Sequence, residues 1–185
     1  MLCLLLFGCH HTTLSPDLLP PEAFRLASSG TPLSVELVSS DELRVGGTQY
    51  ALLLLPFGSV SLTEPELYVE QVLYRELALA GFRPDFHRQT QLPLDLKVEI
   101  EQLRSTAYDF IFVRKIVASA KLSFTLSGDS GTTVLSFDSF ESESEYRKYG
   151  FEQDLRIVLN RAIQKAFSPL VQSLSRFRKE NSQWG

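Results

Sequence analysis

Residues 94–101 read LDLKVEIE and residues 116–126 read IVASAKLSFTL. In the first stretch Leu94, Leu96, Val98 and Ile100 alternate with Asp95, Lys97, Glu99 and Glu101. In the second, Ile116, Ala118, Ala120, Leu122, Phe124 and Leu126 share one parity. Successive side chains of a pleated strand point to opposite faces, so a period of two predicts strands with one dry and one wet face. Tyr108, Phe110 and Phe112 continue that parity upstream, with Ile111, Val113 and Val117 on the other, and Arg114 interrupts it. The second strand is therefore expected to be long and bent near Arg114. Gly128-Asp129-Ser130-Gly131 supplies residues that tolerate positive φ and predicts a hairpin turn, with Thr132–Phe140 returning. Residues 94–140 thus predict an antiparallel meander of three strands.

Downstream, Glu141 to Tyr149 (ESESEYRKY) is polar and reads as a wet strand end or loop. Leu155, Val158, Leu159, Ala162, Ile163, Ala166, Phe167 and Leu170 then recur at helical spacing. Pro169 is expected to bend or end this helix, and residues 175–185 to fray. Upstream, Thr63-Glu64-Pro65-Glu66 has the form of a capping box, with Leu62 as the outer half of a hydrophobic staple. Val69, Val72, Leu73, Leu77 and Ala80 share a helical face, and Gly81 suits a C-cap, which predicts a helix over 63–80. Leu33–Val38 reads as a strand and Val45-Gly46-Gly47-Thr48 as a turn; Tyr50–Phe57 is apolar without a periodicity and fits helix or strand, with the bounding Pro56 and Gly58 favouring strand. The order of elements predicts an α+β, two-layer sandwich. A mostly antiparallel sheet is covered on one face by two amphipathic helices, in a single domain over 33–174.

Composition agrees with one folded domain. The chain has 185 residues, is 44% hydrophobic and 22% charged, and carries a formal net charge of −4. An acidic whole argues against a nucleic-acid partner, which needs a basic face. The 2 Cys both lie in the first nine residues, so no disulfide framework and no cysteine zinc cluster is expected. No glycine-rich phosphate loop and no HExxH is present, and His87 lies in a polar connector. Glu99 with Glu101, and Glu141 with Glu143 and Glu145, pair carboxylates on one strand face. Nothing in the pattern buries one of them, as a general acid requires. The sequence assigns no catalytic residue, no metal site and no cofactor.

Charge is uneven. Asp129 to Glu145 holds five acids and no base, whereas the chain from Arg147 onward holds eight Lys and Arg against three acids. Arg156, Arg161 and Lys165 fall off the apolar stripe of the last helix. They form either a face for an anionic partner or the ordinary polar side of an amphipathic helix. The 13 Phe and 6 Tyr admit two readings as well: a plain core beneath the helices, or a sheet whose other face is also covered.

The N-terminus carries the most specific motif. Leu2 to Phe7 is an apolar run, too short to span a bilayer, and Leu6-Phe7-Gly8-Cys9 follows. These residues resemble the lipobox of bacterial lipoproteins, in which the cysteine thiol takes a diacylglyceryl group and the chain is cut just before it. The alternative is a buried strand or helix with Cys9 as a small hydrophobe. On the lipoprotein reading, residues 1–8 are a truncated signal and 9–32 are a lipidated Cys9 with a flexible tether. The proline-rich HHTTLSPDLLPP supports the tether.

With that motif, the helix ending Leu79-Ala80-Gly81-Phe82, the strand Leu94–Leu103, the segment Ile116–Leu122 and the closing helix, the chain resembles small Gram-negative outer-membrane lipoproteins. It is similar especially to YajG-like lipoproteins and to auxiliary lipoproteins of ABC-type transport systems. The resemblance implies a non-enzymatic protein anchored by Cys9 in outer-membrane lipid, on the periplasmic face. It also implies partnership with an envelope assembly or lipid-transport complex. The competing expectation is a domain that binds a lipid or small molecule between sheet and helices, with a hydrolytic enzyme third.

Overall fold

The computed structural model describes residues 10–16, 30–51, 55–86, 92, 94–110, 112–128, 131–148 and 152–180. In chain order come β1 (His10–Leu14), β2 (Thr31–Ala51), β3 (Leu55–Leu62), α1 (Pro65–Leu79), β4 (Phe82–Asp85), β5 (Leu94–Asp109), β6 (Arg114–Gly128), β7 (Thr133–Arg147) and α2 (Glu152–Glu180). The strands form one sheet in the order β1-β3-β2-β5-β6-β7, with β4 beside the start of β2.

The expected meander is present as β5, β6 and β7, paired antiparallel throughout. Its first turn lies elsewhere than expected. There is no bent strand at Arg114. Asp109 ends β5, Arg114 opens β6, and the Phe110 amide donates to the Val113 carbonyl at 2.8 Å to close the turn. The second turn falls where the glycines placed it, with Gly131 at φ 71. The acidic run is not a loop, because β7 continues to Arg147.

The sheet is mixed: the longest ladders, of the meander, are antiparallel as expected, but parallel pairs join them. β1 runs parallel to β3, and β2 runs parallel to both β4 and β5. A parallel pair needs a long crossover, and the chain between β2 and β5 contains α1, which provides it. The expected turn at Val45–Thr48 is also absent. Gly46 and Gly47 lie inside the 21-residue strand β2. They are glycines because β2 is squeezed there between β3 and β5. A Cβ on Gly47 would come within 1.9 Å of the Ser105 carbonyl oxygen, and one on Gly46, at φ 94, within 2.5 Å of the Val60 oxygen.

Both helices cover one face. Leu96, Val98, Ile100, Leu103, Ile116, Ala118, Ala120, Leu122 and Phe124 point inward and are at most 1% exposed. Leu155, Leu159, Ile163, Phe167 and Leu170 of α2 meet them, as their spacing predicts, and Phe124 packs between Phe137 and Phe167 at ring-centroid distances of 5.0 and 5.6 Å. α2 neither ends at Pro169 nor frays from residue 175, since it runs to Glu180. Leu170 and Leu174, both fully buried, hold the helix on the sheet past the carbonyl that Pro169 leaves without its amide.

α1 occupies its expected span, but the capping box is not formed. Glu64 is the N-cap in a left-handed conformation, φ 52 and ψ 62, without a side-chain cap bond. Thr63 is turned away: its hydroxyl and its amide both donate to the Leu14 carbonyl, at 3.1 Å each. Pro65, just after the N-cap, has no amide to satisfy, and its fixed φ suits the first turn. Gly81 fulfils its expected role just past the helix, with φ 83.

Candidate functional site

Cys9 and residues 1–8 lie outside the described residues, as do His87 and Trp184. The chain next to Cys9 is described, and it is not a tether. His10–Leu14 is the outermost strand β1, in register with Gly58–Leu62 of β3. Gln49 Nε2 donates to Thr12 Oγ1 at 2.6 Å, His11 contacts Ser59 at 2.8 Å and Ser61 at 3.2 Å, and Tyr68 Oη donates to the Ser15 carbonyl at 2.7 Å. The His-His-Thr-Thr run of β1 beside Ser59 and Ser61 of β3 can make such bonds, which composition alone did not reveal.

The basic face of α2 is not a free cationic surface. Arg161 pairs with Glu145 at 2.9 Å and Lys165 pairs with Glu143. Arg156 donates to the Ser15 carbonyl at 3.4 Å. The acids of the ESESE run therefore point inward from β7, half-buried against the helix, while the intervening serines are exposed. The two oppositely charged segments noted in the sequence thus pair with each other, although Arg161 and Lys165, with side chains 51% and 59% exposed, also face solvent.

Among the described residues, the face away from the helices is polar and uncovered. Near its middle, register shifts in β2, between Ser39 and Arg44, and in β5, between Ile100 and Gln102, fall side by side. Such bulges bend the sheet locally. They leave a depression of about 200 Å³ lined by Ser40, Glu42, Arg44, Glu101, Gln102 and Lys121. Lys121 Nζ and Ser123 Oγ both donate to Glu101 at 2.5 Å. The Lys121 bond, then the Ser123 bond, hold the Glu101 carboxyl below its usual range, and Glu101 in turn raises Lys121. A carboxylate kept ionised is a poor general acid, and an ammonium kept protonated is a poor nucleophile. The depression can hold a polar group. Among the described residues, no group of three or more His, Cys, Asp or Glu is arranged for a metal.

One end of this face has a different character. Tyr50, Tyr108, Lys115 and Tyr146 stand in one register row across β2, β5, β6 and β7. Tyr50 and Tyr108 stack at 5.1 Å with rings 9° from parallel, and the Lys115 ammonium sits 5.6 Å from the centre of the Tyr146 ring. Just beyond the row, Leu55 is 64% and Phe112 is 82% exposed. The residues of this row are far apart in sequence and follow no spacing rule, so only the sheet register could assemble them.

The architecture is that of a two-layer α+β domain whose mixed sheet, among the described residues, carries helices on one face. It is similar to the crystal structure of a Xanthomonas campestris protein described by the family model DUF330. The match has 12% identity, spans 95% of this chain and 99% of that one, and reaches a TM-score of 0.55. A minor lipoprotein from Acinetobacter baumannii matches at 12% identity over 80% of this chain and 92% of that one, with a TM-score of 0.46. A Neisseria meningitidis lipoprotein matches at 9% identity over 72% and 97%, with a TM-score of 0.34. At these identities the likeness is one of fold, and of these three the Xanthomonas protein alone carries it. No protein-family model matches the chain, and no curated protein matches its sequence.

Proposed function

We propose that this protein is a non-enzymatic lipoprotein of the bacterial outer membrane, anchored through Cys9 and facing the periplasm. There it serves as an accessory or interaction module in envelope assembly or lipid transport, as the resemblance to YajG-like and transport-auxiliary lipoproteins implies. The observation that carries the reading is the placement of β1. Strand β1 starts at His10, the residue after the cysteine of Leu6-Phe7-Gly8-Cys9, so a lipid on that cysteine would be one residue away from the sheet. The polar depression and the ionised Glu101 fit a binding surface better than a catalytic one. The competing reading, a ligand held between sheet and helices, is less well supported. That space is filled by Leu122, Phe124, Ile163 and Phe167, all at most 1% exposed.

Expression with a complete signal tests the anchor. Intact mass of the purified chain should show a diacylglyceryl adduct at Cys9, and Cys9→Ser should move the protein from the salt-washed membrane fraction to the soluble one. Equal partitioning of the two chains would overturn the reading.

A further inference from the structure

The geometry points to the Leu55–Phe112 end of the sheet as a membrane-contacting tip, which rests on the bilayer that holds the anchor. This rests on the Cys9 reading and adds an orientation to it.

Two turns meet at this end. Ala51 pairs with Leu55 across the β2–β3 turn, and Asp109 pairs with Arg114 across the β5–β6 turn. Ala51 also pairs with Asp109, which makes the two turns neighbours. At about 4.8 Å per strand, Leu55 and Phe112 stand roughly 10–14 Å apart. Both offer a large apolar side chain to water, and single exposed residues of this size are ordinary, but two at one end beside a tyrosine row form a patch. Tyr50, Tyr108 and Tyr146 form that row behind the tip, and Lys115 lies over one of the rings. An apolar tip backed by tyrosines matches the depth profile of a bilayer surface, where amphipathic rings sit at headgroup level.

The position of the N-terminus identifies the occupant as lipid. β1 is parallel to β3, and its first residue, His10, is in register with Gly58, three residues from Leu55. The chain therefore enters the sheet from the Leu55 end. A peptide unit spans 3.8 Å, so an acyl group on Cys9 starts close to the register of the exposed leucine. An anchor with so little slack leaves this end facing the membrane.

Charge contributes little to the contact. Arg114 Nη2 donates to Asp109 Oδ2 at 2.8 Å, and Arg147 pairs with Glu145 at 2.8 Å and with Asp154 at 3.7 Å. The contact is apolar and is expected to resist salt, unlike docking by a polybasic patch.

The test uses full-length lipidated chain in vesicles of phosphatidylethanolamine and phosphatidylglycerol at 3:1. In a Trp184→Phe background, Phe112→Trp places a lone indole at the tip, and Val134→Trp places one at the opposite end of the sheet, where Val134 is 45% exposed. Brominated acyl chains should quench the Phe112→Trp emission severalfold more than the Val134→Trp emission, and 0.5 M salt should leave the difference intact. Equal quenching at the two sites would overturn the tip. So would a blue shift at position 112 without quenching, since that means a second copy or another protein covers it. The intact mass at Cys9 is read first, so failure of the anchor is seen separately. If no lipid is found there, the same comparison is made after coupling Cys9 of a Cys3→Ser chain to a maleimide-headgroup phospholipid. The tip then stands or falls on the quenching alone.

Discussion

Asp109 and Arg114 close the turn between β5 and β6 as a two-pronged ion pair, each side chain only 14% exposed. This pair explains why the meander turns four residues before the point where the alternation seems interrupted. Arg114 does not bend a strand; it opens one, and its guanidinium reaches back to the last residue of the strand before.

Replacing Arg114 with Ala should leave the Asp109 carboxylate partly buried without its partner. The cost should lie between the surface and buried limits, at about 1–3 kcal/mol. Asp109→Asn with Arg114→Gln should recover part of it. Urea midpoints of the three chains at pH 7 check this, and a midpoint for Arg114→Ala equal to wild type would show that the pair contributes nothing.

Gly47→Ala should be among the most damaging single-methyl additions in the protein. The new Cβ would sit 1.9 Å from a backbone oxygen, which no rotamer relieves, so β2 and β5 must separate. A loss of about 3 kcal/mol or more is expected, in the range reserved for severe steric conflicts. By contrast Gly131→Ala has open space at its Cβ and bears only the strain of φ 71, about 1 kcal/mol. Comparable melting temperatures for the two variants would refute the squeezed-strand account.

Thr63→Ala tests the reassigned hydroxyl. It removes a bond to the Leu14 carbonyl rather than a helix cap, so about 0.5–1.5 kcal/mol should be lost. Hydrogen exchange should quicken first in β1 and not at the start of α1. Faster exchange confined to α1 would restore the capping box.

The Glu101 carboxylate makes stability depend on pH in one direction. Its pKa is depressed below the ordinary 4.5 by Lys121 first and by Ser123 second, so the folded state binds the proton less readily than the unfolded state. The contribution is in place above pH 4.5 and is lost as pH falls through the folded value. Both side chains are partly exposed, so solvent screens the effect. Glu101→Gln should narrow the gap between unfolding midpoints measured at pH 7 and pH 3. An unchanged gap would mean that other carboxylates carry the acid sensitivity.

The sequence made some of these elements plain and hid others for definable reasons. β5, β6 and α2 each repeat an apolar position at one period, and a local period survives any tertiary context. Leu155 through Leu170 are buried as their spacing requires. The parallel pairing of β2 with β5 leaves no such trace, because Val35 against Leu96 is a relation between distant segments. Gly46-Gly47 misled because two glycines most often mark a turn, whereas here they mark the place where a neighbouring backbone comes too close for a side chain. Thr12 and His11 read as linker, since a polar strand at a sheet edge has the composition of a loop. The candidate site suffered most. Arg44, Glu101 and Lys121 lie on three strands and meet only because two bulges coincide, and the tyrosine row exists only in the register.

The parallel placement of β1 and β2 also sets a timetable. β5, β6 and β7 can close from tight turns between neighbours in the chain, so their contacts cost little loop entropy. β2 finds β5 only after the intervening helix has been made, and β1 has no partner until β3 is in place. A chain delivered N-terminus first therefore leaves its first strand unpaired until β3 has followed, and the segment beside Cys9 stays open to modifying enzymes over that interval. The edge that would hold the protein to its membrane thus waits on a strand that comes later in the chain.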